Sequence, residues 1–217
     1  MLGLDPDCVV NRIQAAGRPV LLPNLRQSLV VGTVGFTIVS VVAFAVWALG
    51  GRTISRALGT GGFYTAVALV FLAGGGRAFR AILIGENLGR FYPLFVAGFA
   101  LYAGAWIAGS LMFKSTGEWL GAAIGPLPMA LLFCGAFRAW PQFFRCALLL
   151  VGCHFAGYFT ADRLFQIEAL KNQWGMLVWG LVYGIGFGAG LSLTLYHCQS
   201  ETRSRLVRMV KVTPASN

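Results

Sequence analysis

The sequence predicts an all-α integral membrane protein, a compact bundle of about six transmembrane helices with both ends in the cytoplasm. Three observations predict it. Six stretches contain no charged side chain: Gln27–Gly51, Ala57–Gly76, Phe91–Phe113, Trp119–Phe137, Cys146–Ala161 and Asn172–Ser200. A helix needs roughly 20 mostly apolar residues to cross a hydrocarbon core of about 30 Å. The 217 residues are 57% hydrophobic and 11% charged, against roughly 25% charged in ordinary soluble domains. Finally, the basic residues alternate in density between successive connections. With both ends inside, the cytoplasmic segments hold 12 of the 17 Lys and Arg residues and the outer ones hold 5. That is the positive-inside bias. Continuous apolar runs also exclude a β-barrel, whose strands alternate apolar and polar.

Taken in order, residues 1–27 read as a cytoplasmic segment with a short interfacial helix. Asp7 caps it in this reading, Val9, Val10, Ile13 and Ala16 form its apolar side, and Gly17 with Pro19 ends it. No cleavable signal is expected, because Asp5, Asp7 and Arg12 precede the first apolar run. Leu2 stands where myristoylation would require glycine. Residues 28–199 form the transmembrane domain. Residues 200–217 are a basic cytoplasmic tail expected to lie on the inner leaflet or fray. Trp47, Trp119 and Trp174 near outer span ends and Trp140 near an inner end suit an interfacial belt.

The sixth span carries the sharpest packing signal. Gly180, Gly184 and Gly188 recur every four residues, and Gly186 and Gly190 form a second row. Small residues at that spacing let another backbone approach closely. The partner is either another helix of the same chain or another subunit. In the fourth span, Pro126 and Pro128 stand two residues apart. Each withholds a backbone donor, so the helix is expected to kink or break. Such breaks at membrane depth survive where protein or a wet cavity satisfies the freed carbonyls.

His154, Tyr158 and Asp162 follow one another at intervals of four along one face of the fifth span. Ionisable groups at membrane depth are costly and usually functional. This face is the candidate polar path for a solute or proton; a hydrogen-bonded core histidine is the plainer alternative. Arg77, Arg80, Arg90, Arg138 and Arg145 all fall on the cytoplasmic side. They form a candidate site for anions or lipid head groups, with Glu86 a possible partner of Arg80 or Arg90.

Other chemistry finds little footing. The seven acidic residues lie at span ends or in loops, and no nucleophile-elbow, zinc-protease or phosphate-loop motif occurs. The protein is therefore not expected to be an enzyme. The odd set of five cysteines has no C-x-x-C pair, so neither a disulfide framework nor a metal cluster is expected. The two histidines, at different depths, do not suit one haem, and no cofactor is expected. The net charge of +10 points to anionic head groups rather than to nucleic acid. Two function classes follow for a multi-pass protein of the plasma (inner) membrane. One is a small-solute or ion transporter or channel. The other is a non-catalytic structural or assembly subunit of a larger membrane complex, as a homo-oligomer or with other membrane subunits.

Overall fold

A computed structural model describes residues 2–17, 20–85 and 87–212. Arg18, Pro19 and Glu86 lie outside the described residues, as do the side chains of Lys114 and Lys211. The protein is 88% helical, with no strand among the described residues. Seven α-helices follow in order: α1 (Pro6–Ala16), α2 (Leu25–Ala78), α3 (Leu88–Ile124), α4 (Pro126–Ala136), α5 (Phe143–Phe165), α6 (Gln173–Cys198) and α7 (Ser200–Val212). Among the described residues, five segments are long and apolar enough to cross a membrane: Leu25–Gly59, Gly61–Ile82, Trp119–Ala136, Trp140–Phe165 and Gln173–Cys198.

α2 and α3 each run as one helical stretch yet fold back on themselves. In α2 the reversal occurs at Gly59, whose φ of 71° and ψ of 175° leave the helical region at a position where glycine has no Cβ to clash. Beyond it the chain returns, so Phe71 reaches Phe36 at 6.0 Å between ring centroids. In α3, a Cβ on Gly109 would lie 3.2 Å from the Cα of Gly121. Twelve residues of straight helix would separate them by about 18 Å. The chain therefore reverses between these glycines, where the sequence predicts an outer connection, but does so in helical conformation.

α6 is the central helix, flanked by the first arm of α2 on one side and by α5 on the other. Lipid tails are as apolar as leucine, so helices gain little from hiding apolar surface from one another in a membrane. Close packing of small and aromatic groups must hold them instead. Phe36, Phe79, Phe91, Phe95, Phe133 and Phe187 are fully buried. They run in edge and stacked contacts from Phe79–Phe91 (6.4 Å) through Phe95–Phe99 (6.0 Å) to Phe99–Tyr102 (5.7 Å). The Gly74–Gly76 triplet near the end of α2 stays helical. Gly75 and Gly76 make room for the rings of Phe95 and Tyr92.

One end of the bundle is capped by α1 and α7 together. Val9 and Val10 of α1, Ile84 and Leu206 of α7 bury one another, with Ile13 and Met209 packed alongside. Within the described residues, 200–212 of the tail form a docked helix whose apolar stripe has a partner in α1; the rest of the tail lies outside the described residues. The α1 cap also differs from expectation. Asp5, not Asp7, accepts the Cys8 N–H at 3.1 Å, while Gly17 (φ 58°) ends the helix in the left-handed conformation as expected. Freed from capping, Asp7 pairs with Arg138 and Arg205.

Candidate functional site

The centre of the bundle joins two features that the sequence leaves apart. Pro126 has no N–H, so the carbonyl of Ala122, four residues earlier, loses its helical donor. Gly125 keeps helical angles (φ −52°, ψ −45°), and its N–H reaches Gly121 O at 2.8 Å. The prolines interrupt the helical hydrogen bonding while Gly125 keeps helical angles. The missing donor comes from α5: His154 Nδ1 lies 3.1 Å from Ala122 O. A carbonyl only accepts, so Nδ1 carries the proton. In the neutral ring Nε2 is then an acceptor, and the Tyr102 hydroxyl lies 2.8 Å from it. Tyr183 Oη is in turn 3.1 Å from Tyr102 Oη. A directed chain results: Tyr183 donates to Tyr102, Tyr102 to His154, and His154 to the backbone.

His154 has no exposed surface. The rings of Tyr102, Tyr183 and Phe187 surround it at 5.2, 5.8 and 4.9 Å. Tyr158, one turn on, lies 6.0 Å from the imidazole and 5.5 Å from Trp179. Asp162, a further turn on, is only half-buried, and it forms no ion pair among the described residues. The predicted face therefore exists as geometry, but its three members differ in setting. His154 is bonded in the core, Tyr158 belongs to an aromatic cluster, and Asp162 stands near the end of α5. Tyr102 and Tyr183 lacked a signal in the sequence; aromatic residues in apolar runs are ordinary, and their hydroxyls meet His154 only through the fold.

Both glycine rows of α6 are occupied within the chain. A Cβ on Gly180 would stand 2.8 Å from Phe44 Cβ, one on Gly184 2.8 Å from Thr37 Cα, and one on Gly188 3.2 Å from Thr33 O. On the other side, Gly186 meets Gly157 of α5, where a Cβ would lie 2.5 Å from its Cα. Backbone against backbone also permits a direct polar bond, from Ser40 Oγ to Gly180 O at 2.7 Å. The seam expected at Gly180, Gly184 and Gly188 is thus a seam between α6 and α2.

The five arginines share the capped end but not one pocket. Arg77 and Arg80 line a groove of about 640 Å³ together with Arg12, Gln27 and the Val20–Leu21 segment. Arg90 donates to Leu2 O at 3.2 Å, and Arg12 donates to Gly3 O at 2.6 Å. Burial, and then the neighbouring positive charge of Arg90, pull the pKa of Arg12 below its ordinary value. Arg138, at a φ of 52°, pairs with Asp7 at 3.6 Å. Arg145 opens α5 next to Cys146. A second groove, at the opposite end, is lined by Trp47, Arg52, Ser55, Asn172 and Trp174. Neither groove is lined by His154.

The five cysteines are free, and three of them lie together. Cys8 is exposed and Cys153 half-buried, but Cys134, Cys146 and Cys198 are buried with their Sγ atoms all within 4.8 Å of one another. Separations of 12 and 52 residues hide this grouping from any local motif. Comparison with known protein families, curated proteins and solved structures finds no match to this chain.

Proposed function

We propose that this protein is a non-catalytic structural or assembly component of a plasma (inner) membrane, with six spans, both ends cytoplasmic, and a basic inner face that holds phosphate-bearing lipid head groups. One observation carries the reading. Both ring nitrogens of His154, a fully buried ionisable side chain, are engaged by protein groups, one of them in repairing the Pro126 interruption. An imidazole so engaged closes a helix rather than lines a path. The reversal of α3 supports a sixth span, since residues 88–109 form a helical arm of their own before it. The capped end bears the majority of the arginines, which supports its cytoplasmic placement. Arg77 and Arg80 are exposed there, with no ion pair among the described residues. A lipid phosphate supplies the negative charge that the groove lacks.

Reconstitution tests this. Phosphatidylglycerol should raise the unfolding temperature above that in phosphatidylcholine, and Arg77→Gln with Arg80→Gln should erase the difference. An equal gain in the variant overturns the head-group assignment. Transport of a small solute or ion is the second reading. The Tyr183–Tyr102–His154 chain favours it, because hydroxyls and imidazole in series can pass a proton and broken helices present backbone to solutes. Proteoliposomes loaded with a pH-sensitive dye discriminate: leakage above that of empty vesicles, lost in His154→Gln, would replace the structural reading with transport.

A further inference from the structure

The C-terminus of α4, the first turn of α5 and the last residue of α6 converge just inside the capped end, and each brings one thiol: Cys134, Cys146 and Cys198. Cys198 Sγ lies 3.8 Å from Cys134 Sγ and 3.9 Å from Cys146 Sγ. A disulfide would require about 2.05 Å; these are three separate sulfurs. We infer that Cys134, Cys146 and Cys198 form a three-coordinate thiolate site for a soft monovalent cation, Cu(I).

The spacing carries the inference. Three sulfurs at the corners of a trigonal plane, each about 2.3 Å from a central d¹⁰ ion, stand about 4.0 Å apart. Two observed edges are 3.8 and 3.9 Å, and the third is under 4.8 Å, so closing the site needs a shift along that edge of less than about 0.8 Å. The coordination number selects the metal. Structural zinc is almost always four-coordinate, and a fourth position must come from a protein ligand or from water. Among the described residues the group of three sulfurs has no further His, Cys, Asp or Glu ligand atom. Water is excluded as well: Cys134 and Cys146 have no exposed surface and Cys198 has 1%. Three soft donors in a dry site suit Cu(I), which thiolates select.

Binding displaces the thiol protons, one Cu(I) entering as up to three H⁺ leave, with no change of oxidation state. The anionic product needs positive charge nearby. Arg145 adjoins Cys146 in the chain. Arg203, whose Nη1 donates to Tyr196 O at 3.2 Å near the end of α6 and whose guanidinium lies 3.9 Å over the Tyr196 ring, keeps Nε and Nη2 buried without a hydrogen-bond partner among the described residues.

The test uses the full chain, purified in detergent under reducing conditions and titrated with Cu(I) supplied as its bicinchoninate complex. One Cu(I) per chain is expected, with X-ray absorption showing three sulfur neighbours and no nitrogen or oxygen. Cys134→Ser, Cys146→Ser and Cys198→Ser should each abolish stoichiometric uptake, while Cys8→Ser and Cys153→Ser leave it intact. Should the serine variants fail to fold, the wild-type spectrum and stoichiometry decide alone. No uptake at one per chain, uptake unaltered in the folded triad variants, or preferential four-coordinate Zn²⁺ binding would each overturn the assignment.

Discussion

Replacing His154 with leucine removes the imidazole while retaining much of its volume. The Ala122 carbonyl, already deprived of an N–H by Pro126, then has no donor. A buried polar group left unpaired costs about 1–3 kcal/mol. The Tyr102–His154 bond is lost too, at a net cost of about 1 kcal/mol, since Tyr102 can still turn its hydroxyl to Tyr183. His154→Leu should therefore destabilise by about 2–4 kcal/mol. The mechanism makes a sharper demand on a second substitution. Pro126→Ala restores an N–H that can donate to Ala122 O. In the wild-type background that carbonyl is already bonded, so little is gained. In the His154→Leu background the new N–H should recover about 1–3 kcal/mol, the cost of the orphaned carbonyl. The four proteins can be unfolded reversibly with sodium dodecyl sulfate in mixed micelles, followed by tryptophan fluorescence. Additivity within about 0.5 kcal/mol would show that the two positions are uncoupled, and would refute the claim that His154 substitutes for the missing helical donor.

Gly184→Val and Gly186→Val should each lose at least about 1–3 kcal/mol by overpacking, because their Cβ atoms meet backbone at 2.8 and 2.5 Å. Gly152→Ala, with nothing within 4 Å, should leave size-exclusion profiles unchanged. Asp7→Asn removes two exposed ion pairs worth about 1 kcal/mol or less each; global stability should barely change, while amide exchange in α7 rises and depends less on salt, the Arg205–Glu201 pair remaining. Burial acts to raise the pKa of Asp5, but hydrogen bonds from Cys8 outweigh it and the net shift is downward from 3.8. A lowered folded-state pKa means that the carboxylate's contribution is present above the unfolded value and lost as pH falls through the folded one. Exchange protection of α1 should therefore drop on acidification below 3.8, and Asp5→Ala, costing about 1 kcal/mol as a lost cap, should abolish that dependence.

Much of the architecture is legible in the sequence because the bilayer imposes it. A chain in lipid must satisfy its backbone internally, so uncharged runs become helices of matching length, and α5 and α6 fall where Cys146–Ala161 and Asn172–Ser200 place them. The four-residue glycine spacing of α6 likewise declares a groove. What local pattern does not contain is the occupant of that groove. Thr37 and Ser40 fill it from a position about 140 residues away, and nothing in either segment names the other. The sequence makes α1 readable as an interfacial helix and the tail as a basic segment on the inner leaflet or fraying; that the tail folds as α7 and that each helix covers the other's apolar stripe depends on where the bundle brings them.

The sequence alone determined that the chain is a bundle of membrane-embedded helices, with an apolar middle, arginine-rich connections, a proline-interrupted fourth run and a histidine at depth. Only the tertiary structure decided that the histidine serves the proline interruption, that the glycine rows are filled from within, and that three dispersed cysteines share one site. The physical reason is range. Solvation by lipid acts on each residue where it stands and leaves its mark in local composition, whereas a hydrogen bond or a sulfur–sulfur contact depends on which distant side chain arrives within about 4 Å.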